Sequence, residues 1–110
     1  MSFEAITDFF KSRGLTPFEF QLKAWQRSRA GLHQLILCPT GSGKTLAASG
    51  AILDSLMKQN KAAGLRMLYI TPLRAMTRDL EQALAAPLSG TAHRVATRSG
   101  DTPAKERAAL

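Results

Sequence analysis

The stretch CPTGSGKT at residues 38–45 constrains the fold of this chain more than any other, because it follows the apolar run HQLILC and precedes a helical pattern. A Gly-rich loop that joins a strand to a helix is the Walker A pattern. Gly41 and Gly43 permit positive φ angles, so backbone N–H groups can turn inward around phosphate oxygens. The helix that we expect to begin near Lys44 adds its free amides and the positive end of its dipole. The pattern therefore predicts a site for nucleotide phosphates.

Two residues at the end of this loop carry the expected chemistry. We expect Lys44 to reach the β- and γ-phosphates of ATP as a point charge, and the Thr45 hydroxyl to coordinate the Mg²⁺ ion that bridges them. Both are predicted catalytic residues, and Thr45 is the predicted metal ligand. Cys38 stands where the strict pattern has glycine, and we favour a small buried residue over a redox-sensitive thiol. The loop residues predicted to bind the nucleotide are Cys38, Pro39, Thr40, Gly41, Ser42, Gly43, Lys44 and Thr45.

Helices and strands are predicted to alternate along the chain. Apolar spacing predicts helices over residues 3–13, 17–30, 45–60 and 73–86, and a further helix from residue 104. Apolar runs predict strands over residues 33–38, 66–71 and 93–99. Thr16 is expected to cap the second helix, with Pro17 at its first position. This alternation indicates a parallel sheet with crossover helices, a three-layer α/β arrangement.

Length and charge limit what the chain can be. With 110 residues it can build one hydrophobic core, so it is one domain or part of one. Fifteen Lys and Arg against eight Asp and Glu give a net charge of +7, which makes polyanions the expected partners. The alternative is that an acidic remainder balances this charge. No apolar run approaches the roughly 20 residues of a membrane span, so we expect a cytoplasmic protein without membrane contact.

Four segments in series carry a family resemblance. They are TPFEFQLKAWQRSRAG from residue 16, LILCPTGSGKTLAA from residue 35, MLYITPLRAM from residue 67 and RSGDTPAKERA from residue 98. In order and spacing they resemble the start of a superfamily 2 DEXH-box helicase of the Lhr type, and most of all the bacterial ligase-associated DEXH-box helicases. The resemblance implies a RecA-like P-loop NTPase fold, in which Q-motif helices at about residues 1–31 precede the ATP-binding domain.

The resemblance assigns a role to a glutamine that precedes the phosphate loop. Gln21 matches the glutamine of the Q motif, whose amide can both donate to and accept from the adenine edge and so favours ATP over GTP. The alternative, from local pattern alone, is that Gln21 is a polar residue on a helix surface. We interpret Phe18, Phe20 and Trp25 as core aromatics rather than adenine-stacking groups.

Two further motifs are predicted to bind a nucleic-acid strand. TPLRAM at residues 71–76 resembles helicase motif Ia, and SGDT at residues 99–102 resembles the next strand-contacting motif. Both lie where a predicted strand meets a predicted helix, so free amides can hold a backbone phosphate. Contacts of this kind are largely independent of base sequence and weaken steeply with salt. The predicted nucleic-acid-binding residues are Thr71, Pro72, Arg74, Ser99, Gly100, Asp101 and Thr102.

The chemistry expected of this family needs a Walker B acid at the end of a buried strand. No carboxylate after the loop has that setting: these residues are Asp54, Asp79, Glu81, Asp101 and Glu106. We therefore expect residues 1–110 to be the incomplete N-terminal part of a motor domain, inactive alone. By resemblance the parent protein is an ATP-dependent helicase acting on single strands, DNA rather than RNA, in repair, with a DNA ligase or nuclease as partner. The alternatives are an RNA helicase of the same superfamily or a binding module that does not hydrolyse ATP.

Overall fold

The computed structural model of the chain describes residues 3–37, 43–59, 64–71 and 77–97. Within those ranges it contains four α-helices: α1 (Glu4–Ser12), α2 (Glu19–Arg29), α3 (Lys44–Lys58) and α4 (Thr77–Ala85). Helix α3 is central, because each of the other three packs against it. The first three helices confirm the predictions from apolar spacing, and α4 confirms the second half of the fourth. Residues 72–76 and the helix predicted from residue 104 lie outside the described residues.

The first two helices end in the same turn. After α1, the Gly14 N–H donates to the Lys11 carbonyl at 3.0 Å, and the Leu15 N–H donates to the Phe10 carbonyl at 2.9 Å. These two bonds form a Schellman motif, which satisfies carbonyl groups that the helix leaves free. The residues that follow α2 repeat this pattern around Gly31. The helices predicted over residues 3–13 and 17–30 therefore both end in a turn around a glycine.

The start of α2 differs from the prediction. Thr16 does not cap the helix and Pro17 is not its first residue, because the N-cap is Phe18 and the helix begins at Glu19. The side-chain oxygen of Gln21 accepts a hydrogen bond from the Phe18 N–H at 2.8 Å. A side chain at the third helical position that bonds back to the N-cap amide is one half of a capping box. This bond fixes the start of the helix two residues later than expected.

Trp25 lies at the centre of the core, with none of its surface exposed. Its ring centroid lies 5.8 Å from that of Phe3 and 5.7 Å from that of Phe10. Ala51 and Leu53 of α3 are buried in this same core. The buried members of the cluster are Ile6, Phe10, Trp25, Ala51, Leu53, Leu56, Leu84 and Leu88.

Gly50 lets the Trp25 indole lie directly on the backbone of α3, since a Cβ at this position would overlap the indole ring. Replacing a helical glycine with alanine ordinarily stabilises a protein by about 0.5–1 kcal/mol. For Gly50→Ala we expect the opposite sign, a loss of about 1–3 kcal/mol in the free energy of unfolding, because the indole must move. Urea unfolding measures the change. Ser55→Ala, on the exposed face of α3, is the control and should stay within about 0.5 kcal/mol of the parent. A stabilised Gly50→Ala protein contradicts this packing.

The three predicted strands are not formed in the described residues. Residues 32–37, 65–71 and 93–97 have no regular secondary structure, and Leu35 and Ile70 each keep 83% of their surface exposed. A helix closes its backbone hydrogen bonds within its own segment, whereas a strand needs a second segment beside it. The apolar runs have no such partner among the described ranges. The parallel sheet of the three-layer arrangement is therefore not seen there.

A buried carboxylate joins the first three helices. Asp54 of α3 has no exposed surface. Its Oδ1 accepts the Ile6 N–H at 3.1 Å, and its Oδ2 accepts donors from Arg29 at 2.9 Å and Lys58 at 3.0 Å. Burial alone raises the pKa of Asp54, but the donors from Arg29, Ile6 and Lys58 outweigh burial and lower that pKa below its usual value. Asp54 is therefore charged at neutral pH and links α1, α2 and α3.

Candidate nucleotide site

The described end of the phosphate loop is the N-terminus of α3. Gly43 is the N-cap, with φ of +87°, and Lys44 is the first helical residue. Lys44 is exposed and Thr45 is half-buried. The first turn of α3 contains no acidic residue. Its free amides and positive dipole end are therefore not neutralised by a carboxylate of the same turn, which suits an anion.

Gln21 is buried against this N-terminus, with 2% of its surface exposed. Its Nε2 donates to the Gly43 carbonyl at 3.1 Å, while its Oε1 holds the Phe18 N–H. The reading of Gln21 as a polar residue on a helix surface is therefore wrong. The contact is close, since a Cβ at Gly43 would lie 2.6 Å from Nε2. Gln21 keeps one amide hydrogen and one lone pair, and its expected contact with adenine stays a prediction.

The aromatic residues near Gln21 divide into two groups. Trp25 is in the core, as interpreted from the sequence, but Phe18 is 60% exposed and that interpretation is wrong for it. The reason is the late start of α2, which leaves Phe18 at the N-cap and off the buried face of the helix. Its ring stacks on that of Phe20 with centroids 6.0 Å apart and an interplanar angle of 14°. The Phe18 side chain is thus exposed at the start of α2, and its backbone amide is the one that Gln21 holds.

A second side chain of α2 also contacts the backbone of α3. The indole N–H of Trp25 donates to the Leu46 carbonyl at 2.7 Å. Sequence reasoning treated Trp25 only as an apolar core residue and missed this bond. The signal was present in the spacing, because Gln21 and Trp25 are four residues apart and therefore lie on one face of a helix.

The structure brings Thr45 and Thr71 to the same cleft, although the two residues had been assigned to different ligands. The cleft has a volume of about 260 Å³. Thr45 is the predicted Mg²⁺ ligand, and Thr71 is the first residue of the motif predicted to bind a nucleic-acid strand. The residues that line it are Thr45, Tyr69, Thr71, Asp79, Leu80 and Ala83.

The remaining predicted site residues lie outside the described residues, and their roles stay predictions. They are Cys38, Pro39, Thr40, Gly41, Ser42, Pro72, Arg74, Ser99, Gly100, Asp101 and Thr102. Asp54 lies in α3, and Asp79 and Glu81 lie in α4, so these three carboxylates are helical as predicted. The described ranges contain no group of His, Cys, Asp or Glu side chains that could hold a metal ion. None of the described helices is long and apolar enough to cross a membrane.

A helix that begins at GKT, with a buried glutamine bonded to its N-cap carbonyl, is typical of a nucleotide-binding protein of the P-loop class. The sequence model of the DEAD/DEAH box helicase family matches residues 18–110, and the chain belongs to this family. Membership implies the RecA-like fold that the sequence resemblance led us to expect.

Similarity to individual helicases agrees with this assignment. The chain is 36% identical to the Lhr helicase/uracil glycosylase of Escherichia coli (strain K12), over 96% of this chain and 8% of that protein. It is 38% identical to the ATP-dependent helicase Lhr-Core of Methanocaldococcus jannaschii, over 76% of this chain and 10% of that protein. It is 29% identical to the ATP-dependent DNA helicase Hel308 of Thermoplasma volcanium, over 74% of this chain and 11% of that protein.

The matches to the two Lhr proteins confirm the resemblance to Lhr-type helicases. The chain spans 8% to 11% of the length of these three relatives. No solved structure matches the chain.

Proposed function

We propose that the protein is an ATP-dependent helicase that moves along single-stranded nucleic acid, DNA in preference to RNA, and separates duplexes. The observation that carries this proposal is the hydrogen bond from Gln21 to the Gly43 carbonyl, which joins the glutamine of the Q motif to the phosphate loop. Membership of the DEAD/DEAH box helicase family supports it.

The start of α3 fits the phosphates of ATP with Mg²⁺. The left-handed backbone of Gly43 and a first turn without acidic residues suit a bound anion. Lys44 would contact the β- and γ-phosphates, and the Thr45 hydroxyl would coordinate the metal. Mg²⁺, when bound, neutralises charge that develops on the phosphate oxygens. Residues 38–42 complete the loop in this proposal.

The base of ATP would lie beside the start of α2. Gln21 has hydrogen-bonding capacity left for the adenine edge, and the exposed Phe18 ring at the same helix start would offer a face on which the base can stack. Aromatic rings stack on any base, so the amide of Gln21 supplies the selection for adenine in this proposal.

The strand would follow a track that begins at Thr71, beside the cleft that also contains Thr45. Residues 72–74 and 99–102 extend the track in this proposal, with Arg74 as a phosphate contact. The net charge of +7 supports a polyanionic ligand. DNA is favoured because the relative from Thermoplasma volcanium is named a DNA helicase. A repair role with a DNA ligase or nuclease as partner, and a cytoplasmic location, belong to the proposal through the family resemblance.

The proposal is tested by strand binding and strand-stimulated ATP hydrolysis in the intact protein. We expect single-stranded DNA to stimulate hydrolysis, and its affinity to fall as salt rises, with each phosphate contact adding about −0.7 to the log–log slope. Arg74→Ala should make that slope less negative by about 0.7 and weaken binding equally for all base sequences. Fluorescence anisotropy with matched DNA and RNA oligonucleotides at several salt concentrations measures both.

Arg27→Ala is the matched control, because Arg27 is an exposed arginine on α2 outside the predicted track. It should leave the salt slope within error of the parent. Tighter binding of RNA than of DNA contradicts the choice of DNA and favours an RNA helicase. Hydrolysis that no nucleic acid stimulates contradicts a motor.

A further inference from the structure

Two side chains of α2, one helical turn apart, donate hydrogen bonds to the backbone of the phosphate-loop helix. Gln21 Nε2 lies 3.1 Å from the Gly43 carbonyl oxygen, and Trp25 Nε1 lies 2.7 Å from the Leu46 carbonyl oxygen. The two acceptors are three residues apart and lie on either side of Lys44 and Thr45. The residues that would hold phosphate and metal are therefore bracketed by two bonds from one neighbouring helix.

Both acceptor carbonyls already accept a backbone hydrogen bond within α3. The Gly43 carbonyl accepts the Ala47 N–H at 3.0 Å, and the Leu46 carbonyl lies inside α3, where it accepts the amide four residues on. A carbonyl oxygen has two lone pairs, so a second donor is accommodated without breaking the first bond. The side chains of α2 therefore hold α3 without unwinding it.

The indole ring of Trp25, which carries the donor N–H, is packed on both sides. The indole has no exposed surface, and the rings of Phe3 and Phe10 pack against it. On its other side Gly50 has no side chain, so the ring lies directly on the backbone of α3. The ring is held between these residues with its N–H directed at the Leu46 carbonyl.

We infer that Trp25 is a positioning residue for the nucleotide site. A single bond, from Gln21, would let the first turn of α3 pivot about Gly43. The second bond, from Trp25, removes that pivot and fixes Lys44 and Thr45 relative to the adenine-reading amide of Gln21. Displacement of a binding group by about 1 Å can cost on the order of 100-fold in rate. This inference rests on the proposed ATP site and assigns its alignment to a residue that does not touch the nucleotide.

The test is Trp25→Phe in the intact protein, which keeps an aromatic ring in the core and removes the N–H. We expect the Kd of a fluorescent ATP analogue with Mg²⁺ to rise about 5- to 10-fold, the cost of one buried hydrogen bond. The control is Leu56→Val, a core change on α3 about 16 Å along the helix from Thr45. It should lower the thermal midpoint and leave that Kd within twofold. Nucleotide affinity separates alignment from stability, because a merely structural role lowers the midpoint without a change in Kd.

Two further variants make the result decisive. Gln21→Ala combined with Trp25→Phe should weaken binding less than the product of the single effects, because both bonds align the same turn. If Trp25→Phe does not fold, Gly50→Ala displaces the indole while keeping its N–H, and it should raise the Kd in the same way.

Equal Kd values for the parent and the variant that perturbs Trp25 overturn the inference, provided that Lys44→Ala abolishes binding in the same assay. If instead Lys44→Ala binds the analogue as tightly as the parent, the proposed ATP site fails and the inference fails with it. The two failures are thereby distinguished.

Discussion

Replacing Lys44 with alanine is expected to lower ATP hydrolysis by the intact protein by about 100-fold or more, the scale set by removing one positioned group that stabilises transition-state charge. Lys44 is the first residue of α3, its side chain is exposed, and no acidic residue of the first turn competes for it. Its side chain can therefore extend toward an incoming phosphate. Release of inorganic phosphate with saturating single-stranded DNA measures hydrolysis, and a fluorescent ATP analogue measures binding.

Lys11→Ala is the matched control for charge, because Lys11 is an exposed lysine in the last turn of α1. It should leave both rate and affinity within twofold. A Lys44→Ala protein that retains a third or more of the parent's rate contradicts the assignment of the phosphate loop.

Replacing Asp54 with alanine is expected to lower the free energy of unfolding by about 3–5 kcal/mol, the cost of removing one partner from a buried ion pair. The reason is that Asp54 is the shared acceptor for the Ile6 N–H, Arg29 and Lys58, and has no exposed surface. Urea unfolding at neutral pH gives the difference. Glu19→Ala is the control: the Glu19–Lys23 pair is exposed on both sides, and its loss should cost about 1 kcal/mol or less.

The same carboxylate predicts how stability changes in acid. The folded-state pKa of Asp54 is lowered from 3.8, so the unfolded chain takes up the proton first as the pH falls. The contribution of Asp54 is therefore complete above the unfolded pKa and is lost as the pH falls through and below 3.8. A stability profile of Asp54→Asn that is as steep in acid as that of the parent contradicts this assignment.

The helices could be predicted because their causes are local. Ile6 and Phe10 are four residues apart and lie on the buried face of α1. Both α1 and α2 end in a turn around a glycine, Gly14 or Gly31, and close their hydrogen bonds within their own segment. The segments at 33–38, 66–71 and 93–99 are different, because whether an apolar run becomes a strand depends on what lies beside it. The run HQLILC alone does not indicate which segment would lie beside it. The start of α2 was missed because the long side chain of Gln21 satisfies the Phe18 amide.

The sequence predicts the chemistry of the site, whereas the contacts of its residues depend on how the helices pack. The residue types of the loop indicated phosphate and metal, and the match to the DEAD/DEAH box helicase family agrees with that expectation. The sequence did not separate a surface Gln21 from a buried one, because that depends on where α2 packs on α3. It also did not show that Phe18 is exposed while Trp25 is buried. Both residues are aromatic and close in sequence. They differ because Phe18 lies at the N-cap of α2, whereas Trp25 lies inside the helix on its buried face.

Glycine at position 43 meets two requirements at once, an unusual backbone angle and the absence of a side chain, and no other residue meets both. Its φ of +87° is one that residues with a side chain rarely adopt, and the space a side chain would need is occupied by the amide of Gln21. A shorter residue at position 21 would open that space but leave the backbone angle as it is, and it would remove the bond to Gly43. A change at position 43 therefore has no compensating change at position 21. Through this one glycine, the backbone conformation at the start of α3 and the position of the Gln21 amide constrain each other.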